Sequence, residues 1–150
     1  MDQINLAVID FENVQLLFPQ SGIATIEMIE NMETESEAGG AIGRLRTAGR
    51  EWPVFSLDAN LSRRSERSAT NKYCVAFDID GQPAFSITCD QVSSMTLDSP
   101  DQIKPLQGFM RNANNPIEAL LLQDDRLMLV SQVDSMHRFL VTDLAADLAA

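Results

Sequence analysis

The chain has 150 residues, a net charge of −11 and 45% apolar residues. That length suits one domain or two small fused ones, and that apolar share excludes a disordered chain. An acidic chain repels nucleic acid and anionic lipid, and these apolar runs are too short for a membrane-spanning helix.

The charge is uneven. Residues 1–40 carry −8, residues 44–72 carry +4 and residues 73–150 carry −7. The basic middle reads either as a solvated loop that neutralises acidic neighbours or as a docking strip for an acidic protein partner. Arginine dominates it, which suits paired contacts to carboxylates. No aromatic residue interleaves with the basic residues from Arg63 to Lys72, as stacking on a nucleic acid would require.

No basic segment precedes the first apolar run, so no export signal is read at the N-terminus. Ile4–Ile9 and Val14–Phe18 read as strands around a turn at Asp10-Phe11-Glu12-Asn13. From Ile23 to Met32 the apolar residues recur every three positions, which predicts a short internal helix with Ser21 as its N-cap. An acidic loop follows over residues 33–40. Residues 42–57 predict a hairpin: an apolar strand, a Thr47-Ala48-Gly49 turn and a second strand after Pro53. Residues 62–72 hold one apolar side chain, Ala69, and predict a mobile loop.

Tyr73–Ile79 alternates as a strand, and Asp80-Gly81 is the strongest hairpin signal in the chain. Pro83 marks the start of the return strand as an edge or a bulge. Residues 98–116 are rich in Pro, Gly and Asn and read as loop. Residues 117–133 repeat the earlier layout, with strands around an Asp124-Asp125 turn. The chain ends in an amphipathic helix over residues 133–148. Eight to ten strands at this spacing point to a barrel or sandwich.

Candidate chemistry is sparse. Phosphate-binding loops, dinucleotide fingerprints, nucleophile elbows and zincin motifs are absent from the sequence. His137 is the only histidine and reads as a packed or surface residue of the last helix. One His and two separated Cys do not make a four-ligand zinc site. Asp78-Ile79-Asp80-Gly81 resembles the start of a calcium loop, but Ile87 stands where the closing glutamate belongs. Cys74 and Cys89 read as small buried hydrophobes, although the Asp80-Gly81 turn makes their strands neighbours and a disulfide conceivable. We therefore expect no catalysis, no cofactor and no metal.

The order of these elements from Leu6 to Leu140 resembles the CheW-like family, the coupling proteins and kinase regulatory domains of bacterial chemosensory systems. Gly43, Gly49 and Pro53, followed by the Val54, Phe55 and Leu57 strand, are similar to the family's most specific motif. Tyr73–Ile79, Gly81, Ala84–Ile87 and Asp90-Gln91-Val92 look like its next block, and Ala119–Leu140 like its last. Three departures stand out. Ala48 occupies the place of an arginine that the family associates with receptor coupling, and Ser56 replaces a common aspartate. The loop at residues 33–41 is shorter than usual and lacks prolines.

The resemblance implies a mainly β fold of two fused five-stranded SH3-like barrels, with a short internal helix and a C-terminal helix. Residues 1–141 would form this domain and residues 142–150 a helical tail. It implies a cytoplasmic, non-catalytic adaptor that joins a histidine kinase regulatory domain to a chemoreceptor helical tip, without nucleic acid or membrane insertion. Arg44, Arg46, Ala48, Gly49 and Arg50 are the partner-binding residues it points to. The competing reading is a small-molecule sensor with an apolar pocket, lined in part by some of the seven methionines.

Overall fold

Four two-residue hairpins set the register of this computed structural model, which describes residues 3–34, 40–106 and 115–140. Strands β1 (Ile4–Phe11) and β2 (Val14–Pro19) join at Glu12-Asn13, and β5 (Gly43–Thr47) and β6 (Arg50–Phe55) at Ala48-Gly49. Strands β7 (Tyr73–Ile79) and β8 (Gln82–Cys89) join at Asp80-Gly81, and β11 (Ile117–Gln123) and β12 (Arg126–Ser131) at Asp124-Asp125. All eight turn residues have positive φ, from 48° to 79°. This is the turn whose twist matches that of the strands it joins, even though Glu12 and Ala48 are poor residues for it. The other strands are β3 (Ile23–Met28), β4 (Met32–Thr34), β9 (Gln91–Leu97) and β10 (Ile103–Pro105). Among the described residues one α-helix, α1, covers residues 133–140.

The strands form two six-stranded sheets, in the orders β10-β11-β12-β2-β1-β9 and β3-β7-β8-β6-β5-β4. Both follow one plan. One hairpin lies beside another through a parallel contact, β12 with β2 in the first sheet and β6 with β8 in the second. The two edge strands of each sheet are consecutive in the chain, separated by a single 3-10 turn. Pro100–Gln102 lies between β9 and β10, and Ile29–Asn31 between β3 and β4. A sheet whose opposite edges are that close curls into a barrel. Each barrel was expected to have five strands. The sixth in each sheet is a three-residue edge strand, β4 or β10, too short to leave a periodic signal. The chain order is nested: β3–β8 build the second barrel between β2 and β9 of the first.

Alternation sorts the side chains into three cores. Leu6, Val8, Leu17, Leu121 and Met128 fill the first barrel, and Leu45, Trp52, Val54, Cys74 and Ala76 the second. The intervening residues Ile9, Phe11, Leu16, Phe18, Val75 and Phe77 point the other way, into a shared seam. There the Phe18 and Phe77 rings lie 4.5 Å apart, and Phe77 and Phe85 5.0 Å apart. Met136 and Leu140 of α1 complete the seam. His137 stacks on Phe85 at 6.5 Å, half-buried.

The expected internal helix is not formed. Ile23–Met28 is the extended strand β3, and only Ile29–Asn31 turns, as one 3-10 turn. Ile23, Thr25 and Ile26 are β-branched, and the open side of β7 offers them a hydrogen-bond ladder, so tertiary pairing overrides the period of three. Ser21 lies inside a separate 3-10 turn, Gln20–Gly22, and is no N-cap. The terminal helix is present over residues 133–140, while the tail at 142–150 lies outside the described residues.

The stretch expected to be a mobile loop is laced to its surroundings. Leu57 bridges Arg63, the Arg64 amide donates to the Ser56 carbonyl, and Asn71 Nδ2 donates to Asp90. Pro83 does mark a bulge, with the β7–β8 register shifting between Phe77 and Asp78.

Cys74 and Cys89 are free and buried. Tyr73 stands opposite Cys89, and Cys74 faces the barrel interior while Cys89 faces the seam, so the conceivable disulfide has no geometry to form. Burial pushes the Cys74 thiol up to about 12 from its ordinary value of 9.0, and raises Cys89 as well. Well below pH 9.0 the Cys74 thiol is neutral in both folded and unfolded chains and contributes no pH dependence. Above it the unfolded thiols ionise first. Stability should therefore fall as pH rises from about 9 to about 12, and Cys74→Ala should flatten part of that slope. Urea midpoints measured across that range read the effect, and an unchanged slope would contradict it.

Gly43 pairs with Thr34, and a Cβ added to it would overlap the Glu33 carbonyl oxygen. Gly43→Ala is expected to cost about 1–3 kcal/mol of stability in equilibrium unfolding, because a backbone atom must move.

Candidate functional site

The five sequence-predicted residues all fall on the β5–β6 hairpin, but they point in different directions. Leu45 faces the barrel interior opposite Trp52, so its neighbours Arg44 and Arg46 lie on the outer face. Arg46 stands opposite Glu51, and Arg44 opposite Pro53. Arg44 pairs with Glu51, and Arg46 reaches Glu33 on β4 at 2.9 Å and Glu51 at 3.5 Å. A hydrogen bond from Arg44, helped by the charge of Arg46, holds the Glu51 carboxyl below the usual carboxylate range. Ala48 and Gly49 occupy the tip, and nothing crowds the position of a Cβ on Gly49.

Arg50 turns to the other face and lies across the mouth of the second barrel. Its Nη2 donates to Asp78 Oδ2 at 2.6 Å and to the Gly81 carbonyl at 2.9 Å. Its guanidinium carbon lies 5.1 Å from the Trp52 ring centroid, and Trp52 Nε1 donates to Asp78 Oδ1 at 3.2 Å. One arginine therefore ties β6 to the β7–β8 turn. Arg64, further along the basic stretch, pairs with Glu12 of the first barrel, which also accepts the Ala59 amide at 2.9 Å. Much of the basic stretch is thus engaged in ion pairs with acids of this same chain.

Sequence reasoning missed the matching face of the first barrel. On the β11–β12 hairpin, Leu122 stands opposite Leu127, one pair in from the turn residues' neighbours, as Arg46 and Glu51 do on β5–β6. Leu122 is 69% exposed and Leu127 59% exposed. The unbroken Leu120-Leu121-Leu122 run hid this pair, because only the register shows that Leu121 faces inward and Leu122 outward.

Open grooves mark the surface among the described residues. One of about 560 Å³ is lined by Asp10, Glu12, Asp90, Arg126 and Leu127. A second of about 520 Å³ runs between Met32 and Ile42 and the Arg64–Arg67 segment. A third of about 350 Å³ lies among Gly22, Asp78, Asp80, Val133 and Asp134. Each carries charged side chains. Among the described residues no cluster of three His, Cys, Asp or Glu side chains is placed to hold a metal ion. Among them, too, no helix is long and apolar enough to cross a membrane.

No family model matches the chain, and no curated protein matches it in sequence. Its structure is similar to the crystal structure of the scaffolding protein TtCheW from Thermoanaerobacter tengcongensis, with a TM-score of 0.66. The similarity covers 87% of this chain and 89% of that one, at 14% sequence identity. At that identity the likeness is one of fold, and the fold is CheW-like, mainly β with two barrels.

The two arginine environments predict different costs. Arg50→Leu should lose about 1–2 kcal/mol of stability, since it removes charge-assisted bonds and leaves Asp78 short of a partner. Arg46→Leu should lose less than about 1 kcal/mol, because its pairs are solvent-screened. Equal costs in denaturant titrations would contradict this division.

Proposed function

We propose that this chain is a non-catalytic adaptor of a cytoplasmic chemosensory complex, coupling a receptor to a histidine kinase through its barrel surfaces. The observation that carries this reading is the paired-barrel fold, shared over most of both chains with a protein described as a scaffolding protein. The sparse catalytic chemistry of the sequence supports it, as does the outward presentation of side chains on two equivalent hairpins. In this reading one barrel docks the kinase regulatory domain, and the groove between the barrels takes an amphipathic receptor helix by burying its apolar face.

The β5–β6 hairpin is the proposed receptor side. Arg44, Arg46 and Arg50 sit on it in ion pairs with Glu51, Glu33 and Asp78, so these charges tune the rate and register of docking more than its strength. Ala48 at the tip leaves a gap where the family carries arginine. A cognate kinase regulatory domain should bind the chain in titration calorimetry, and no binding at high micromolar concentration would count heavily against the adaptor role. Ala48→Arg should strengthen receptor binding by about 1.5–3 kcal/mol if it forms a charge-assisted bond there. Unchanged affinity would show that the hairpin tip is not used in that way.

A further inference from the structure

The two barrels can be aligned residue by residue from their turns. Asp78, two residues before Asp80-Gly81, corresponds to Asp10, two residues before Glu12-Asn13. Arg50, the first residue after Ala48-Gly49, corresponds to Arg126, the first after Asp124-Asp125. Trp52 corresponds to Met128. The parallel contacts confirm the alignment, since Val54 pairs with Ser86 opposite Ala76, and Val130 with Leu17 opposite Val8.

In the second barrel these positions are bonded together: Arg50 and Trp52 both donate to Asp78. In the first barrel the same three positions are open. Asp10 Oδ1 is buried without a hydrogen-bond partner. Arg126 is exposed and makes no ion pair among the described residues. The Met128 side chain has no N–H to offer where Trp52 has its indole. Asp10 and Arg126 instead line one groove of about 560 Å³, and exposed Leu127 lies on its rim with Leu122 beside it. A buried carboxylate oxygen without a partner is costly, and its natural complement is a cation.

We propose that this end of the first barrel is an interface between two copies of the chain, in which Arg126 of each copy enters the groove of the other and pairs with Asp10. The contact that the second barrel makes within one chain is made here between chains. The patch suits a second copy because it is self-complementary. It holds an unpaired cation, an unpaired carboxylate and an apolar pair, and a two-fold axis supplies each with its counterpart. Leu122 and Leu127 exclude water beside the ion pairs. The patch is small, and two copies of charge −11 repel each other, so the association is weak and concentration-dependent. Only this chain takes part, so the contact stands or falls separately from kinase docking.

Sedimentation velocity over a concentration series, up to about 1 mM, tests it. The native chain should shift from monomer toward twice its mass. Arg126→Asp places two acids at each contact and Asp10→Arg two arginines, so each variant alone should stay monomeric. An equimolar mixture restores opposite charges at both contacts and should recover the dimer. If Asp10→Arg fails to fold, as its thermal unfolding would show, Leu122→Asp decides the matter by weakening association at least about tenfold. A native chain that stays monomeric throughout leaves the patch to a different protein and overturns the proposal. So does a dimer indifferent to Arg126→Asp and Leu122→Asp.

Discussion

Burial of the same strands on both faces is the constraint from which the rest of this structure follows. Strands β1, β2 and β7 send alternate side chains into a barrel and into the seam, so neither barrel can present a solvated face there. Leu6 and Val8 belong to one barrel while Ile9 and Phe11 belong to the joint. Each fully buried large side chain contributes about 1.5–3 kcal/mol by leaving water, and the Phe18, Phe77 and Phe85 cluster concentrates that gain at the joint. Hairpin tips and outer faces are what the seam leaves in contact with solvent.

Much of this was legible in the sequence where local chemistry and tertiary pairing agree. Asp80-Gly81 and Ala48-Gly49 announced hairpins, and Tyr73–Ile79 announced its strand. The failures are instructive. Ile23, Ile26 and Ile29 share a helical spacing, but an unpaired neighbour strand decides their conformation, and spacing carries no record of that neighbour. β4 and β10 are three residues long and leave no period to read. The loop at 62–72 reads as polar and free, because its anchors Glu12 and Asp90 come from far away in sequence.

The same limit applied to the surface. Composition located the arginines, but not that Arg50 braces a barrel mouth while Arg44 and Arg46 face outward. It could not separate Leu121 from Leu122, although one is core and the other the most exposed large apolar side chain described. The two barrels share one strand plan yet differ at their equivalent hairpins, charged on one and apolar on the other. A repeated framework thus carries two chemically distinct faces.

The nested chain order bears on how the molecule is made. As the polypeptide emerges from the ribosome, the inner barrel has all of its strands once Cys89 is free, whereas the β1–β2 hairpin still lacks β9 and β12. Early in synthesis that hairpin carries a row of open backbone donors and acceptors beside bare apolar side chains, and it must wait for the far end of the chain to close over it. The Phe18 contact with Phe77 offers it an interim shelter, because the inner barrel can hold the nascent hairpin by the seam before its own barrel exists.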